Sequence, residues 1–447
     1  MSHQQPAQPK SVLRGHRTQV HVTIFIRGNQ RLASGDADGF VVLWDLTIMR
    51  PRAVWRAHTN AILGIADWGD DRIITHGRDN RLIAWRLGGQ DEMAMSTALP
   101  LDESTAEQPQ PWVLHTLEVN TLNFCCFASC GAKPDASQEE LLIAVPNTLE
   151  TEDVDVFQLP SQNRQHTIRL GSKTEKKGMV MSLRLFWCGA LLTLTAAYES
   201  GLAIVAQLGR NGTWDILYRA QVHSQPVLSL DVAPGGDFFL TSGADAIIAK
   251  HPIPTATYPV QESRRPKQAD CTSVETANQS LLSAALSSEP RPTMTPKHTE
   301  PVVETQPLKI INTKHSGQQG LRIRSDGRIF ATAGWDSKVR VYSTKTMSEL
   351  AVLKWHEVGC YAVAFATLAD QQVPCPTKSG IRSEEATENP ENGKVAVNTT
   401  VHRDTSIVTA PRLGQLSVKS RRIKTAKEAH WLAAGSKDGK ISLWDIY

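Results

Sequence analysis

A frame of polar residues recurs along this chain at nearly constant spacing and constrains its fold more than any other feature. A histidine precedes an aspartate by 21 or 22 residues four times, in the pairs His16–Asp38, His58–Asp79, His223–Asp245 and His315–Asp336. Between these markers, short stretches alternate apolar and polar residues and are bounded by Gly, Asp or Asn, which is typical of β-strands. The chain is therefore predicted to repeat one strand-rich unit.

Two further positions of the frame are kept. The residue four before the aspartate carries a hydroxyl in all four copies, as Ser34, Thr75, Thr241 and Thr332. The residue six after the aspartate closes the third strand and is Trp44, Trp85, His251, Tyr342 or, after Asp438, Trp444. This frame resembles the WD40 repeat, the four-stranded unit of a propeller blade.

The number of copies is predicted to be seven. Residues 121–159 and 179–208 each supply three strand-like stretches without the aspartate, and the last copy starts at Trp355. With the first ten residues and the long insertions set aside, about 43 residues remain for each of seven copies, which matches the WD40 unit of roughly 40–45 residues. We therefore expect an all-β fold, a single seven-bladed WD40 β-propeller over residues 11–447.

The two ends of the chain are predicted to share a blade. The sequence stops three residues after Trp444, so the last copy has three strands, whereas residues 11–14 lie where other copies have an outer strand. Pairing of this N-terminal strand would close the last blade and remove two exposed sheet edges. Residues 1–10 are expected to be a flexible N-terminus.

Three long insertions, at 88–110, 254–306 and 367–429, are predicted to be flexible loops because they are rich in Pro, Ser, Thr and Glu. Together with 128–140, they connect strands at the same end of the blades, and that face is either a binding surface or the side that tolerates insertions. The basic runs 417–427 and 264–267 are either nuclear import signals or solvated loops.

The repeated His, Ser or Thr and Asp residues are interpreted as structural. Catalysis needs one activated nucleophile beside an oxyanion site, and a set that recurs in several copies does not provide this. Cys125, Cys126 and Cys130 lack a second pair at zinc-ligand spacing and are expected to be buried thiols. The sequence therefore predicts no enzyme activity, no catalytic, cofactor-binding or metal residues, and no cofactor.

The charge and hydropathy of the chain exclude several classes of protein. The chain has 48 Lys and Arg against 45 Asp and Glu, a net charge of +3, which argues against direct nucleic-acid binding. It has no apolar run long enough to span a membrane and no signal-peptide pattern at its start, and its seven cysteines are scattered. We expect a soluble intracellular protein that does not associate with membranes.

Beyond the repeat, the chain resembles the fungal ASTRA-associated WD-repeat family, which is related to G-protein-β-subunit-like proteins. The resemblance rests on residues 13–46, 117–125, 178–186 and 431–447. This resemblance implies a nuclear protein that is a monomeric subunit of the ASTRA hetero-complex. It also implies a scaffold role linked to chromatin remodelling and to maturation of phosphatidylinositol-3-kinase-related kinases, with ASTRA subunits, kinase co-chaperones and AAA+ ATPases as partners. The alternative is a cytoplasmic G-protein-β-like signalling scaffold.

Overall fold

The computed structural model describes residues 7–101, 108–120, 124–134, 139–171, 176–254, 303–368 and 417–446. The chain divides into two compact units. The first contains residues 1–124 and 315–447, and the second contains residues 125–314.

The first unit contains four sheets of four antiparallel strands, each of which we call a blade. The chain enters it with β1 (Ser11–Arg14) and continues into blade 1, formed by β2 (Val20–Ile26), β3 (Arg31–Asp36), β4 (Phe40–Asp45) and β5 (Arg50–Arg56). Blade 2 contains β6 (Ile62–Trp68), β7 (Arg72–Gly77), β8 (Arg81–Arg86) and β9 (Trp112–Glu118), with the short helix α1 (Asp91–Ala94) between β8 and β9.

The second unit contains three blades. Blade 3 is formed by β10 (Ala128–Gly131), β11 (Leu141–Pro146), β12 (Val154–Leu159) and β13 (Asn163–Ile168). Blade 4 is formed by β14 (Val180–Cys188), β15 (Leu191–Tyr198), β16 (Leu202–Leu208) and β17 (Trp214–Gln221). Blade 5 is formed by β18 (Val227–Val232), β19 (Phe238–Gly243), β20 (Ile247–Pro252) and β21 (Lys309–Asn312).

The chain then returns to the first unit. Blade 6 contains β22 (Gln318–Ile323), β23 (Ile329–Gly334), β24 (Val339–Ser343) and β25 (Glu349–Leu353). Blade 7 contains β26 (Cys360–Phe365), β27 (Trp431–Ser436) and β28 (Lys440–Asp445), with the helix α2 (Val418–Glu428) preceding β27. The structure thus has seven four-stranded blades of a β-propeller, and the predicted fold class is confirmed.

The N-terminal strand completes the last blade, as predicted. β1 pairs with β28 in antiparallel register, with Ser11 opposite Leu443 and Arg14 opposite Lys440. Leu13 is buried, and the backbone N–H of Lys10 donates to the carbonyl of Leu443 at 2.8 Å. The contact of this strand with β28 therefore begins at Lys10. Residues 1–6 lie outside the described part of the chain.

Neighbouring blades pack through apolar side chains that alternate along the strands. Leu13, Trp44 and Ile441 belong to one core cluster that joins blades 7 and 1. A tight turn adds to this contact: Gly439 has a φ of +75°, and a Cβ atom there would overlap the carbonyl of His16. A glycine in this turn therefore lets the backbone of one blade approach the histidine of the next.

Blade 3 corrects a predicted boundary. Residues 121–128 were expected to form its first strand, but β10 covers only Ala128–Gly131, residues 124–127 form no strand, and 121–123 lie outside the described residues. Ala128 pairs with Ala144, so a longer ladder would place Cys126 opposite Pro146. Proline has no N–H to donate, which weakens continuation of the ladder there. The predicted loop at 128–140 therefore begins after Gly131.

Parts of the three predicted insertions form regular structure. Residues 88–101 contain α1, residues 417–429 contain α2, and the backbone of Glu304 bridges to Tyr218 at the edge of blade 4. These segments gain order from contacts with the blades, which composition does not reveal. Within these insertions, residues 102–107, 255–302 and 369–416 lie outside the described part of the chain. The grouping of residues 11–447 into one domain stays a prediction.

Candidate functional site

The repeated polar residues form buried hydrogen-bond networks in the well-formed blades. In blade 2, His58 Nδ1 donates to Asp79 Oδ1 at 2.8 Å, and His58 Nε2 lies 2.8 Å from Thr75 Oγ1. The Trp85 indole N–H donates to the same hydroxyl at 2.8 Å. Such a network satisfies its buried polar groups and fixes the turns that carry them.

Blade 5 repeats the network with one substitution. His223 bonds Asp245 at 2.9 Å and Thr241 at 2.8 Å, as in blade 2. His251 replaces the tryptophan, and its Nε2 contacts Thr241 Oγ1 at 2.8 Å while Tyr218 contacts its Nδ1 at 2.7 Å. Both ring nitrogens are therefore engaged, and burial lowers the pKa of His251 to about 3.

Blade 1 uses a different aspartate from the predicted one. His16 Nδ1 donates to Asp36 Oδ2 at 2.7 Å, and the backbone N–H of Asp38 donates to Asp36 Oδ1 at 3.0 Å. Asp36 is fully buried at the end of β3, whereas Asp38 lies in the following turn and is half-buried. The spacing of 22 residues thus selected a carboxylate two positions from the one that pairs with the histidine.

Blade 7 takes its hydroxyl from another strand. Ala434 occupies the position where the frame has Ser or Thr, and Ser442 faces it across the β27–β28 ladder. Ser442 Oγ lies 2.8 Å from His356 Nε2 and accepts the Trp444 indole N–H at 2.8 Å. The Asp438 carboxylate instead accepts from Lys440 Nζ at 2.6 Å, and His356 Nδ1 has no hydrogen-bond partner among the described residues. The network is therefore present without the predicted His–Asp pair.

Blades 6, 3 and 4 depart further from the frame. The side chain of His315 is 41% exposed and lies 3.8 Å from Asp336, whose carboxylate instead accepts from Arg340 at 2.6 Å. Burial opposes ionisation of Asp336, but the hydrogen bond and charge of Arg340 outweigh it and lower the pKa of this carboxyl. In blade 3, Asn147 Nδ2 donates to Asp155 at 2.8 Å, and in blade 4, Gln207 donates to Thr193 at 3.0 Å.

These networks favour a structural role for the repeated residues. The hydroxyls of Ser34, Thr75 and Thr241 are buried and already contact a histidine and the residue that closes the third strand. Burial alone would raise the pKa of Asp79, but hydrogen bonds from His58 and Thr59 lower it to about 2. A carboxylate held in its ionised form by these partners is consistent with a fixed structural contact.

Two of the cysteines near the start of blade 3 are shielded from solvent, with Cys125 buried and Cys130 half-buried. Burial raises the pKa of Cys130 to about 12 and that of Cys125 well above its usual value, so both stay protonated at neutral pH. No cluster of three or more His, Cys, Asp or Glu residues that could hold a metal ion occurs in the part of the chain that the structure describes.

Among the described residues, no helix is long and apolar enough to cross a membrane.

A buried carboxylate that the sequence did not indicate ties the first insertion to blade 1. Glu92 of α1 is 1% exposed. It forms ion pairs with Arg27, with Arg31 at 3.1 Å and with Arg52 at 3.2 Å. Because the three arginines come from blade 1, 40 to 65 positions earlier in the chain, no local pattern in the sequence signals this cluster.

The same insertion adds backbone contacts to the edge of blade 1. The N–H of Val54 donates to the carbonyl of Ser96 at 2.8 Å, and the N–H of Leu101 donates to the carbonyl of Gly15 at 3.0 Å. Residues 88–101 therefore cover part of the outer edge of β5 with their own backbone, which protects that edge from pairing with another chain.

The basic run 417–427, predicted to be an exposed loop, is mostly the helix α2. Ser417 caps it, because its Oγ accepts the N–H of Ser420 at 3.1 Å. Near the other end, Ala426 is buried and its carbonyl accepts the Trp431 indole N–H at 3.2 Å, while Asn29 donates to the carbonyl of Lys427 at 3.2 Å. The helix is thus fixed to blades 7 and 1, and its five cationic side chains, Lys419, Arg421, Arg422, Lys424 and Lys427, are exposed.

A groove runs between α2 and the turn that follows β4. Its volume is about 390 Å³, and it is lined by Leu46, Thr47, Met49, Val418, Arg421, Arg422, Thr425 and Trp431. We call it the α2 groove. Its floor is apolar and its helix side is basic, so it combines the two features with which a protein surface holds an acidic, partly apolar segment. The second basic run, 264–267, lies outside the described residues.

Comparison with known proteins assigns the chain to a family. The family model described as ASTRA-associated protein 1 matches residues 9–444, which span all seven blades. The chain belongs to the ASTRA-associated protein 1 family. The resemblance inferred from the first and last repeats is therefore confirmed.

Individual relatives in the ASTRA-associated protein 1 family align with most of the chain. The ASTRA-associated protein 1 of Pyricularia oryzae is 50% identical, with 99% of this chain and 98% of the relative aligned. That of Verticillium alfalfae is 49% identical over 98% of this chain and 93% of the relative. That of Schizosaccharomyces pombe is 32% identical over 80% of this chain and 93% of the relative.

Proposed function

We propose that this chain is a non-catalytic scaffold subunit of the ASTRA complex, in which it binds other protein subunits. The observation that carries the proposal is membership of the ASTRA-associated protein 1 family over nearly the whole chain. The buried networks support the non-catalytic part, because they engage the repeated hydroxyls and histidines in holding blades together. A propeller built in this way offers rigid surfaces for docking, and fold alone does not name the partners.

The finer parts of the proposal are that the chain acts in the nucleus as a monomeric subunit and contributes to chromatin remodelling and to maturation of phosphatidylinositol-3-kinase-related kinases. Kinase co-chaperones and AAA+ ATPases are the proposed partners. These parts rest on the resemblance described above. The exposed cations of α2 are compatible with recognition by an import receptor, which would bring the chain into the nucleus.

Affinity purification tests the proposal. The chain, tagged at its C-terminus and expressed from its own locus, is isolated from native extract, and co-purifying proteins are identified by mass. We expect ASTRA subunits together with the giant kinases and their co-chaperones. Recovery of G-protein or cytoplasmic kinase components instead would support the alternative signalling scaffold and overturn the proposal.

Localisation is a separate test. A fluorescent copy of the chain should concentrate in the nucleus, and replacement of the five α2 cations by glutamine should shift it toward the cytoplasm if α2 is the import signal. A copy that is cytoplasmic in both forms would contradict the nuclear part of the proposal. The ASTRA part would still rest on the purification.

A further inference from the structure

The α2 groove has an excess of positive charge that the described part of the chain does not neutralise. Helix α2 carries five cations against one acid, Glu428, which lies 3.8 Å from Lys424. Within the described residues, neither Arg421 nor Arg422 forms an ion pair with an acidic side chain, and the nearby Asp45 is engaged by Arg31 at 3.2 Å. The two arginines at the groove are therefore available to an anionic ligand.

Apolar side chains form the floor of the groove and part of its rim. Leu46 and Trp431 are buried beneath it, and Met49 is half-buried. Val418, at the start of α2, is 58% exposed, and Ile48, in the turn after β4, is 51% exposed. Met and Arg are enriched at protein interfaces relative to the rest of the surface, and Met49, Arg421 and Arg422 all line this groove.

The groove is also fixed in position before any ligand binds. The Ser417 cap closes the first turn of α2, and the bonds from Trp431 to the carbonyl of Ala426 and from Asn29 to the carbonyl of Lys427 hold its C-terminal end against the blades. Leu46 is anchored as well, because its N–H donates to the carbonyl of Gln30 at 3.1 Å. A preformed site loses less conformational entropy on binding, so a short segment suffices as its ligand.

These observations point to one kind of occupant. We propose that the α2 groove binds an acidic segment of a partner protein that inserts an apolar side chain against Leu46, Met49 and Trp431 and places carboxylates at Arg421 and Arg422. This inference rests on the proposed function, because it supplies a contact for a scaffold subunit. A nucleic acid would use the arginines but would gain nothing from the apolar floor, and a volume of about 390 Å³ accommodates a side chain together with its backbone.

Site-specific photocrosslinking tests the occupant directly. A benzoylphenylalanine is placed at Thr425, which lines the groove, in the full-length tagged chain expressed in cells that lack the native copy. After irradiation, crosslinked peptides are identified by mass. We expect crosslinks to one stretch of a partner protein that is rich in Asp and Glu and contains an apolar residue. The same group at Lys419, on α2 but outside the groove lining, should give at least fivefold fewer crosslinks to that stretch.

Charge reversal provides the second arm. The pair Arg421→Glu and Arg422→Glu should reduce the Thr425 crosslink at least tenfold. The matched pair Lys419→Glu and Lys427→Glu changes the charge of α2 equally but leaves the groove lining intact, and it should reduce the crosslink less than threefold. Folding of each variant is verified from its circular dichroism spectrum and thermal unfolding midpoint.

The outcomes separate the two proposals. Crosslinks from Thr425 to nucleic acid, to another segment of this same chain, or to nothing would overturn the inference, as would equal loss in the two charge-reversal pairs. If ASTRA subunits co-purify but the acidic segment is not crosslinked, the groove inference alone fails. If an acidic segment is crosslinked while ASTRA subunits are not recovered, the groove inference stands and the proposed function fails.

Discussion

Removal of the hydroxyl of Ser442 tests how the last blade compensates for a missing frame residue. In Ser442→Ala, His356 Nε2 and the Trp444 indole N–H both lose their contact at 2.8 Å. The two groups lie in a buried region, since His356 is 7% and Trp444 3% exposed. Water therefore has little access to replace the lost hydrogen bonds.

The magnitude follows from the two orphaned groups. A buried polar group that loses its partner costs about 1–3 kcal/mol, so the two groups together are expected to lower the free energy of unfolding of blade 7 by about 2–6 kcal/mol in Ser442→Ala. The effect should exceed that of an ordinary serine substitution because one oxygen serves both groups. His356 Nδ1 has no hydrogen-bond partner within the described residues, and the imidazole would then be held mainly by packing against the Trp355 ring, whose centroid lies 4.9 Å from its own.

A second-site change makes the reasoning specific. Ala434 on β27 lies directly opposite Ser442 on β28. In blade 1 the equivalent position on the second strand is Ser34, which lies opposite Val42 and hydrogen-bonds the histidine. The double variant Ser442→Ala with Ala434→Ser should therefore recover more than half of the lost stability. The hydroxyl then comes from β27, as it comes from the second strand in blades 1, 2 and 5.

Amide hydrogen exchange detects the expected local opening. Exchange in β27 and β28 should accelerate at least tenfold in Ser442→Ala and return toward the wild-type rate in the double variant, while exchange in blade 2 stays unchanged. Wild-type exchange in Ser442→Ala, or a double variant no more protected than the single one, would refute the interpretation of Ser442 as the replacement hydroxyl.

Three further predictions concern other parts of the structure. Glu92→Gln should destabilise the anchored segment 88–101 by about 2–4 kcal/mol, because three arginines lose a buried anionic partner. Limited proteolysis should therefore cut this segment faster in Glu92→Gln than in the control Glu357→Gln, which changes an exposed carboxylate. The free energy of unfolding should fall as the pH drops from about 6.5 toward 4, because burial lowers the pKa of His251 to about 3 and that of His356 to about 4, so the unfolded chain binds protons that the folded chain excludes. Urea titrations should show a shallower pH dependence for His251→Gln, and an equal slope would contradict this assignment. Deletion of residues 1–14 should expose the edge of β28 and accelerate proteolysis of blade 7, whereas deletion of residues 1–6 should not, since pairing begins at Lys10 and Ser11.

The sequence predicts the fold well because the polar frame is local to each blade. The spacing of His58, Thr75 and Asp79 reflects two strands and a turn of fixed length, so the network of blade 2 follows directly from it. In blade 1 the spacing predicts Asp38 as the partner of His16, whereas the structure shows Asp36. The two aspartates lie two residues apart at the end of the same strand, and spacing alone does not show which carboxylate is buried. The hydroxyl of Ser442 is missed because its role depends on a cross-strand neighbour.

The candidate site is less visible in the sequence than the fold. Composition predicts a loop at 417–427 because this run is rich in Lys and Arg and has few apolar residues. Its helix is stabilised by tertiary contacts instead, through Ala426, Trp431 and Asn29. The groove beside it joins residues of the turn after β4 to residues of α2 and β27, which are about 380 positions further along the chain. Long-range packing of this kind leaves no periodic signal in either segment.

The most direct test of a scaffold role is reconstitution with purified components. The ASTRA assembly is isolated from cells lacking this chain, mixed with the purified full-length chain, and measured by native mass spectrometry. The account predicts that the mass of the assembly increases by that of one copy of the chain. An assembly whose mass is unchanged, with the added chain remaining free at micromolar concentration, would contradict it.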